Sequence, residues 1–236
     1  MLRMKKAPRH EAKPGNEAEP FDDSQSTLTE KAYHALEEMI VTLELAPGSV
    51  VSEAALSQLL GIGRTPIREA LHRLAHEHLV TILPRRGIIV SEVNIMTQLR
   101  LLEVRREVER LMARAASKRA SPAEREAFRR IEEGMQKAAS SNDDIAFMRL
   151  DQAFNQLLTQ AARNDFATGA ISLMQSLSRR FWYIHYRQVA DMPLAARLHG
   201  AVALAIAEGD AERAAAASDA LMDYIEDFTR ATVTAD

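Results

Sequence analysis

The chain has 236 residues, a net charge of −3, and 47% apolar against 27% charged residues, the composition of an ordinary folded protein with room for one or two cores. It has no cysteine, which excludes disulfides, thiolate chemistry and cysteine-ligated zinc. No apolar run approaches the ~18 residues of a membrane span, and the basic residues 1–6 lead into no signal-peptide stretch, so a cytoplasmic protein without a membrane partner is expected.

Residues 1–26 carry five basic and five acidic side chains with almost no apolar content; such a segment cannot offset its chain entropy by burial, and a disordered tail is expected. From Thr29 onward Ala32, Leu36, Met39, Ile40 and Leu43 recur at helical spacing, with Pro47-Gly48 as the stop. Ser52 is placed to cap a second helix bearing Ala55, Leu56, Leu59 and Leu60, which Gly61 ends. After the tight Gly61-Ile62-Gly63 turn, Thr65 can cap a third helix with Pro66 at its first position and Ile67, Ala70, Leu71 and Leu74 inward. Glu69 then lies near the positive end of that helix. Thr81-Ile82-Leu83 and Ile88-Ile89-Val90 flank Pro84-Arg85-Arg86-Gly87, a short β-hairpin. Three short helices and a two-stranded wing describe a winged helix-turn-helix over residues 27–91, followed by a linker at 91–94. Residues 95–236 read as helices near 95–119, 122–140, 143–163, 166–190, 193–208 and 210–232, an all-α antiparallel bundle able to enclose a cavity. The fold class is therefore mainly α.

Residues 27–94 have six Lys or Arg against eight Asp or Glu, yet 64–87 contain Arg64, Arg68, Arg73, Arg85 and Arg86 against only Glu69 and Glu77. One small basic patch on an acidic background suits a small DNA footprint doubled by dimerisation. A recognition helix presents its N-terminal side chains to base edges, where arginine bonds guanine O6 and N7 with both arms. Arg64 and Arg68 stand nearly one turn apart at that end, Thr65 can reach a phosphate or a thymine methyl, and Pro66 sets the helix start. Arg85 and Arg86 at the hairpin tip suit phosphate or minor-groove contact, with a solvated charged turn as the other reading, and Gly87 allows close backbone approach or positive φ.

Residues 33–90 resemble the GntR-type winged-helix regulators, in particular the FadR-like subfamily. The resemblance rests on Leu45-Ala46-Pro47-Gly48, on Ser52-Glu53 with Leu56, and on Gly61-Ile62-Gly63-Arg64-Thr65-Pro66-Ile67-Arg68-Glu69-Ala70-Leu71. Leu79-Val80 and Pro84 with Arg86-Gly87 and Val90 complete it. Two departures stand out: Gly63 where the family often has a hydroxyl residue, and His78 where glycine is common. More loosely, Val104-Arg105 with Glu109, His199, and Glu208-Gly209-Asp210 resemble the helical FCD effector domain. That resemblance implies dimerisation and a small organic-acid effector, in many members bound through a metal held by one aspartate and three histidines.

Only part of that ligand set is here. Asp151 and Asn155 lie one turn apart on one helix face, Asn155 stands at the first expected histidine, His199 matches the second, and the third falls near Leu221. Amide and carboxylate oxygens hold transition metals less strongly than imidazole, so Asp151, Asn155 and His199 form a depleted site for a divalent metal such as zinc or nickel. In the other reading the three bond an effector directly or form a satisfied polar network. Arg105 matches a family arginine that clamps a carboxylate, or pairs with Glu109 or Asp151. The cluster Arg179-Arg180-Phe181-Trp182-Tyr183 with His185 and Tyr186 is core or dimer interface in its apolar part, while Arg179, Arg180, Trp182 and His185 are candidate pocket residues.

The function expected is an effector-controlled transcriptional regulator, a repressor working as a homodimer on a palindromic operator in double-stranded DNA, whose two reading helices must span about 34 Å. A metal-dependent enzyme using Asp151 and His199 is the alternative from another class, weakened because no nucleophile–base motif accompanies them. A third reading is an architectural DNA-binding protein without effector. The expectation is a non-enzyme.

Overall fold

The computed structural model describes residues 26–84 and 86–234. Most of the expected disordered tail (residues 1–25) and Arg85 lie outside the described residues. The N-terminal elements are α1 (Leu28–Val41), β1 (Val50–Val51), α2 (Glu53–Leu60), α3 (Arg64–His76), β2 (Val80–Leu83) and β3 (Gly87–Val90). Helices α4 (Ile95–Arg119), α5 (Pro122–Ser141), α6 (Asp144–Ala162), α7 (Asp165–Val189), α8 (Met192–Glu208) and α9 (Ala211–Ala231) follow, with a final 3-10 turn Thr232–Thr234.

Helix α1 begins at a reciprocal cap: the Thr27 hydroxyl accepts from the Glu30 amide at 3.2 Å, while Glu30 accepts from the Thr27 amide at 3.0 Å. It ends at Val41, earlier than the Pro47-Gly48 stop expected, because Leu43 takes a left-handed φ of 66°. Ser52 caps α2 through the Ala55 amide at 3.2 Å, and Gly61 closes it at φ 66°. Ser57 donates to the Ile62 carbonyl at 2.6 Å and thereby fixes the turn into α3.

Two further features of this unit differ from expectation. Helix α3 starts at Arg64 with Gly63 as its cap residue and no side-chain cap bond, so Thr65 lies inside the first turn and Pro66 at the third position. Proline's missing N–H removes one of the donors a cap at Gly63 could satisfy. The sheet also has three strands, in the order β1-β3-β2, all antiparallel. Val50 and Val51 pair with Ile89 and Ile88, a two-residue strand too short to show a period.

Helix α3 ends on a complete Schellman arrangement in which the Leu79 amide bonds the Leu74 carbonyl at 2.9 Å and the His78 amide bonds Ala75 at 3.1 Å. Leu74 and Leu79 are both fully buried in the same cluster. His78 holds the left-handed position at φ 60°, exposed to solvent. A Cβ there costs about 1–2 kcal/mol, partly offset by glycine's larger entropy loss on folding. Replacing His78 with glycine should therefore raise the melting temperature by about 1–3 °C, measured by circular dichroism; a lower value would show that the imidazole makes a compensating contact.

The first core gathers Tyr33, Leu36, Ile40, Leu56, Ile67, Leu71, Leu74, Leu79 and Val90. The second joins α4 to α9 through Met112, Phe128, Met135, Phe147, Phe154, Leu158, Val202, Ile206 and Leu221. Expected and observed bounds of these six helices agree within one residue, because each starts at an Asn, Ser or Asp whose side chain accepts from a first-turn amide. Helix α7 also contacts α1: Leu177 packs on the first core, and buried Ser176 donates to Glu37 at 2.6 Å.

Candidate nucleic-acid interface and ligand cavity

Helix α3 buries Ile67, Ala70, Leu71 and Leu74 and turns Arg64, Thr65, Arg68, Glu69 and His72 outward. Its uncapped N-terminus leaves backbone N–H groups of the first turn directed off the helix end, an anion-binding geometry. The arginines of the patch are not equivalent. Arg73 leans over the Tyr33 ring at 3.6 Å and bonds buried Glu77 at 3.1 Å, so it serves the α1–α3 packing. Arg68 is paired with Glu53, whose carboxyl its hydrogen bonds hold below the usual range. Arg64 and Arg86 are exposed. Gly87 adopts φ 102°, the positive φ considered for it, and a Cβ there would lie 3.1 Å from the Val51 carbonyl oxygen and 3.2 Å from Val50 Cγ1, so the glycine carries the wing past β1.

The cavity of about 700 Å³ lies among the bundle helices and continues to the N-terminal unit. Its wall includes Arg105 of α4, Phe147, Asp151 and Asn155 of α6, Arg179 and Trp182 of α7, His199 of α8 and Tyr224 of α9. It also includes Tyr33, Glu37 and Glu38 of α1 and Arg73 of α3. Six of the eight residues expected in an effector site, Arg105, Asp151, Asn155, Arg179, Trp182 and His199, therefore share one cavity. His185 is one exception: its ring lies tilted against Phe181 with centroids 4.7 Å apart, and it is not part of the wall. Arg180 also leaves the set, because it is buried against the linker, its Nη2 donating to the Ser91 carbonyl at 2.6 Å.

His199 sits between Phe147 and Phe154, with ring centroids 5.4 and 5.8 Å away and edge-on geometry. Its Nδ1 lies 2.8 Å from the Ala195 carbonyl and its Nε2 3.1 Å from Asp151 Oδ1. Both partners only accept, so the ring satisfies both when it carries both protons. Burial alone would lower the His199 pKa, but the hydrogen bond and charge of Asp151 outweigh it and leave it raised. For Asp151, burial pulls upward while His199 pulls further down, and the net shift is downward. Arg105 lines the cavity and bonds buried Glu109 at 2.6 Å, so it both faces the cavity and forms the ion pair considered for it.

This donor set does not fit a transition metal. His199 Nε2 and the Asn155 amide both point at the same oxygen, Asp151 Oδ1, at 3.1 and 3.0 Å. Leu221, at the place of the third expected histidine, is buried in the apolar core. Among the described residues no three His, Asp or Glu side chains converge as a metal would need.

Sequence patterns did not reveal that α1 contributes to the cavity. One signal was present: Glu37 lies one turn from Tyr33 on the buried stripe of α1, and a carboxylate there needs a partner. The partners are Ser176 and Arg179, the latter at 2.9 Å.

A winged helix-turn-helix joined to a cavity-bearing helical bundle is the build of a DNA-binding transcriptional regulator. The model of the FCD domain matches residues 100–224 and that of bacterial regulatory proteins of the gntR family matches residues 28–90. The chain belongs to the GntR family of transcriptional regulators, in its FCD-bearing group, consistent with the FadR-like subfamily. It is 29% identical over 193 residues to the HTH-type transcriptional repressor RspR of Escherichia coli strain K12, covering 79% of this chain and 83% of that one. An HTH-type transcriptional regulator from an unstable DNA locus of Streptomyces ambofaciens is 48% identical over 62 residues, 26% of each chain. The solved structure of E. coli McbR/YncC shares the fold at a TM-score of 0.73 and 18% identity, over 89% of this chain and all of that one. The family is one of regulators, which sets the enzyme reading aside. Among the described residues no helix is long and apolar enough to cross a membrane.

Proposed function

We propose that the protein is an operator-specific repressor that works as a homodimer and is controlled by a small carboxylate bound in the cavity without zinc or nickel. Arg64 and Arg68 read guanines, Thr65 reaches phosphate, and Pro66 offers an apolar edge to a thymine methyl. Arg85, Arg86 and Gly87 bring the wing to the DNA backbone. The homodimer reading is supported by Met96, Val104 and Leu111, exposed apolar residues along one side of α4. The repressor reading is supported by the name of the E. coli relative.

The observation that carries the effector reading is the shared wall. Arg179 lines the cavity and pairs with Glu37 at 2.9 Å and Glu38 at 3.4 Å on α1. A ligand carboxylate that competes for Arg179 weakens that tie between the bundle and the DNA-reading unit. Arg105 and the Asp151–His199 pair fix the ligand's orientation.

The operator is obtained by selecting bound duplexes from a random pool. Arg68→Ala should weaken binding to it by about 5- to 150-fold and relax preference at one base pair in each half-site. Unchanged affinity and preference would refute the reading-helix assignment. Small carboxylic acids are then screened by thermal shift with and without chelator. At least one should stabilise the wild type, act undiminished in chelator and change operator affinity, with that change lost in Arg179→Gln. Stabilisation only with added metal would overturn the metal-free site.

A further inference from the structure

Arg68 and Glu53 meet side-on. Arg68 Nε donates to Glu53 Oε1 at 2.9 Å and Nη2 donates to Oε2 at 2.7 Å. A guanidinium carries five N–H groups in a planar fork, and this pairing uses only the edge formed by Nε and one hydrogen of Nη2. The terminal edge, formed by Nη1 and the second hydrogen of Nη2, remains directed away from the carboxylate, and it is the edge that matches guanine O6 and N7.

Glu53 is well placed to act as the fixed member. It is the first residue of α2, directly after the Ser52 cap, where the helix end favours a carboxylate. Arg68 stands in the second turn of α3, the helix that carries the exposed reading face. The side chains are 56% and 32% exposed, and an ion pair that open to solvent contributes little to stability. Its consequence is orientation. Without it, the arginine's long side chain samples many rotamers, and a neighbouring phosphate can attract it as readily as a base.

We infer that Glu53 is a specificity-determining positioning residue, which holds the inner edge of Arg68 so that the outer edge meets a guanine. The inference rests on the reading of Arg68 as a base contact. It carries a signature that a merely structural role lacks. Glu53 brings a negative charge close to DNA, so removing it should leave affinity for unrelated duplex unchanged or higher while discrimination falls.

The test uses the full chain and the operator selected as above, with binding measured by fluorescence anisotropy at several salt concentrations. Glu53→Ala and the nearly isosteric Glu53→Gln are compared with Arg68→Ala and with the Glu53→Ala, Arg68→Ala double variant. Melting curves confirm folding; if the alanine variant is impaired, the glutamine variant alone carries the result. Each Glu53 variant should reduce the ratio of operator to unrelated-DNA affinity by about tenfold, about one good base contact. The loss should be confined to the base pair that Arg68→Ala also relaxes, and the double variant should be no less specific than Arg68→Ala. If Arg68→Ala loses discrimination and the Glu53 variants keep it, the positioning role is refuted while the reading helix stands. If Arg68→Ala itself changes nothing, the reading-helix assignment fails, and this inference with it.

Discussion

Replacing Arg180 with alanine is expected to lower the unfolding free energy by about 3 kcal/mol, measured by chemical denaturation. Arg180 is 1% exposed and among the largest fully buried side chains. Its Nη2 bonds the Ser91 carbonyl at 2.6 Å, whereas Nε and Nη1 have no hydrogen-bond partner among the described residues. Burial pulls its pKa down, against a smaller upward pull from the charge of Glu92. Truncation would leave a void and strip the Ser91 carbonyl of its donor in one step. Arg180→Met separates the two effects, because it keeps most of the volume and removes the buried charge with its unsatisfied donors. That variant should lose less than 1 kcal/mol, yet the linker at residues 91–94 should become more susceptible to protease. Equal losses in both variants would show that the charge, and not the packed volume, holds this junction.

Asp151→Asn is expected to destabilise the protein by about 2 kcal/mol near pH 6, less than for a fully buried pair because the side chains of His199 and Asp151 retain 12% and 28% exposure. The pH dependence follows from the two shifts. His199 is raised above its ordinary 6.5, so its contribution is present in full below that pH and is lost as pH rises through the folded value. Asp151 is lowered below its ordinary 3.8, so its contribution is present above that pH and is lost as pH falls through the folded value. Both terms act together between pH 3.8 and 6.5. The gap between wild type and variant should be widest in that window and should narrow as pH rises well above 6.5. Thermal denaturation across the range checks this, and a gap that stays constant would show that His199 does not carry the charge.

Much of this architecture is legible in local patterns. Helices α4 to α9 announce themselves because an amide-accepting cap and an apolar stripe coincide at each start. Helix α3 is legible in Ile67, Ala70, Leu71 and Leu74, but its first residue is not. A threonine before a proline suggests a cap, while the helix starts at Arg64 with Gly63 as its cap residue. Strand β1 was invisible because its two valines are a strand only by virtue of β3 beside them. In the cavity, Asp151 and Asn155 were placed together by helical spacing, whereas α1 entered the wall through contacts some 140 residues apart in sequence, Glu37 with Ser176 and Arg179. His185 was grouped with Arg179 by proximity along the chain, yet a helix sends the two in different directions.

The shared wall also has a thermodynamic consequence. A compound that fills the cavity touches α1 and the bundle at once, so its affinity depends on how the DNA-reading unit is seated. Linkage then runs both ways: whatever factor the compound applies to operator binding, the operator applies to the compound. Protein bound to its operator and protein free in solution would consequently be half-saturated at different concentrations of the same compound, and the occupancy of the operator would set the response to it.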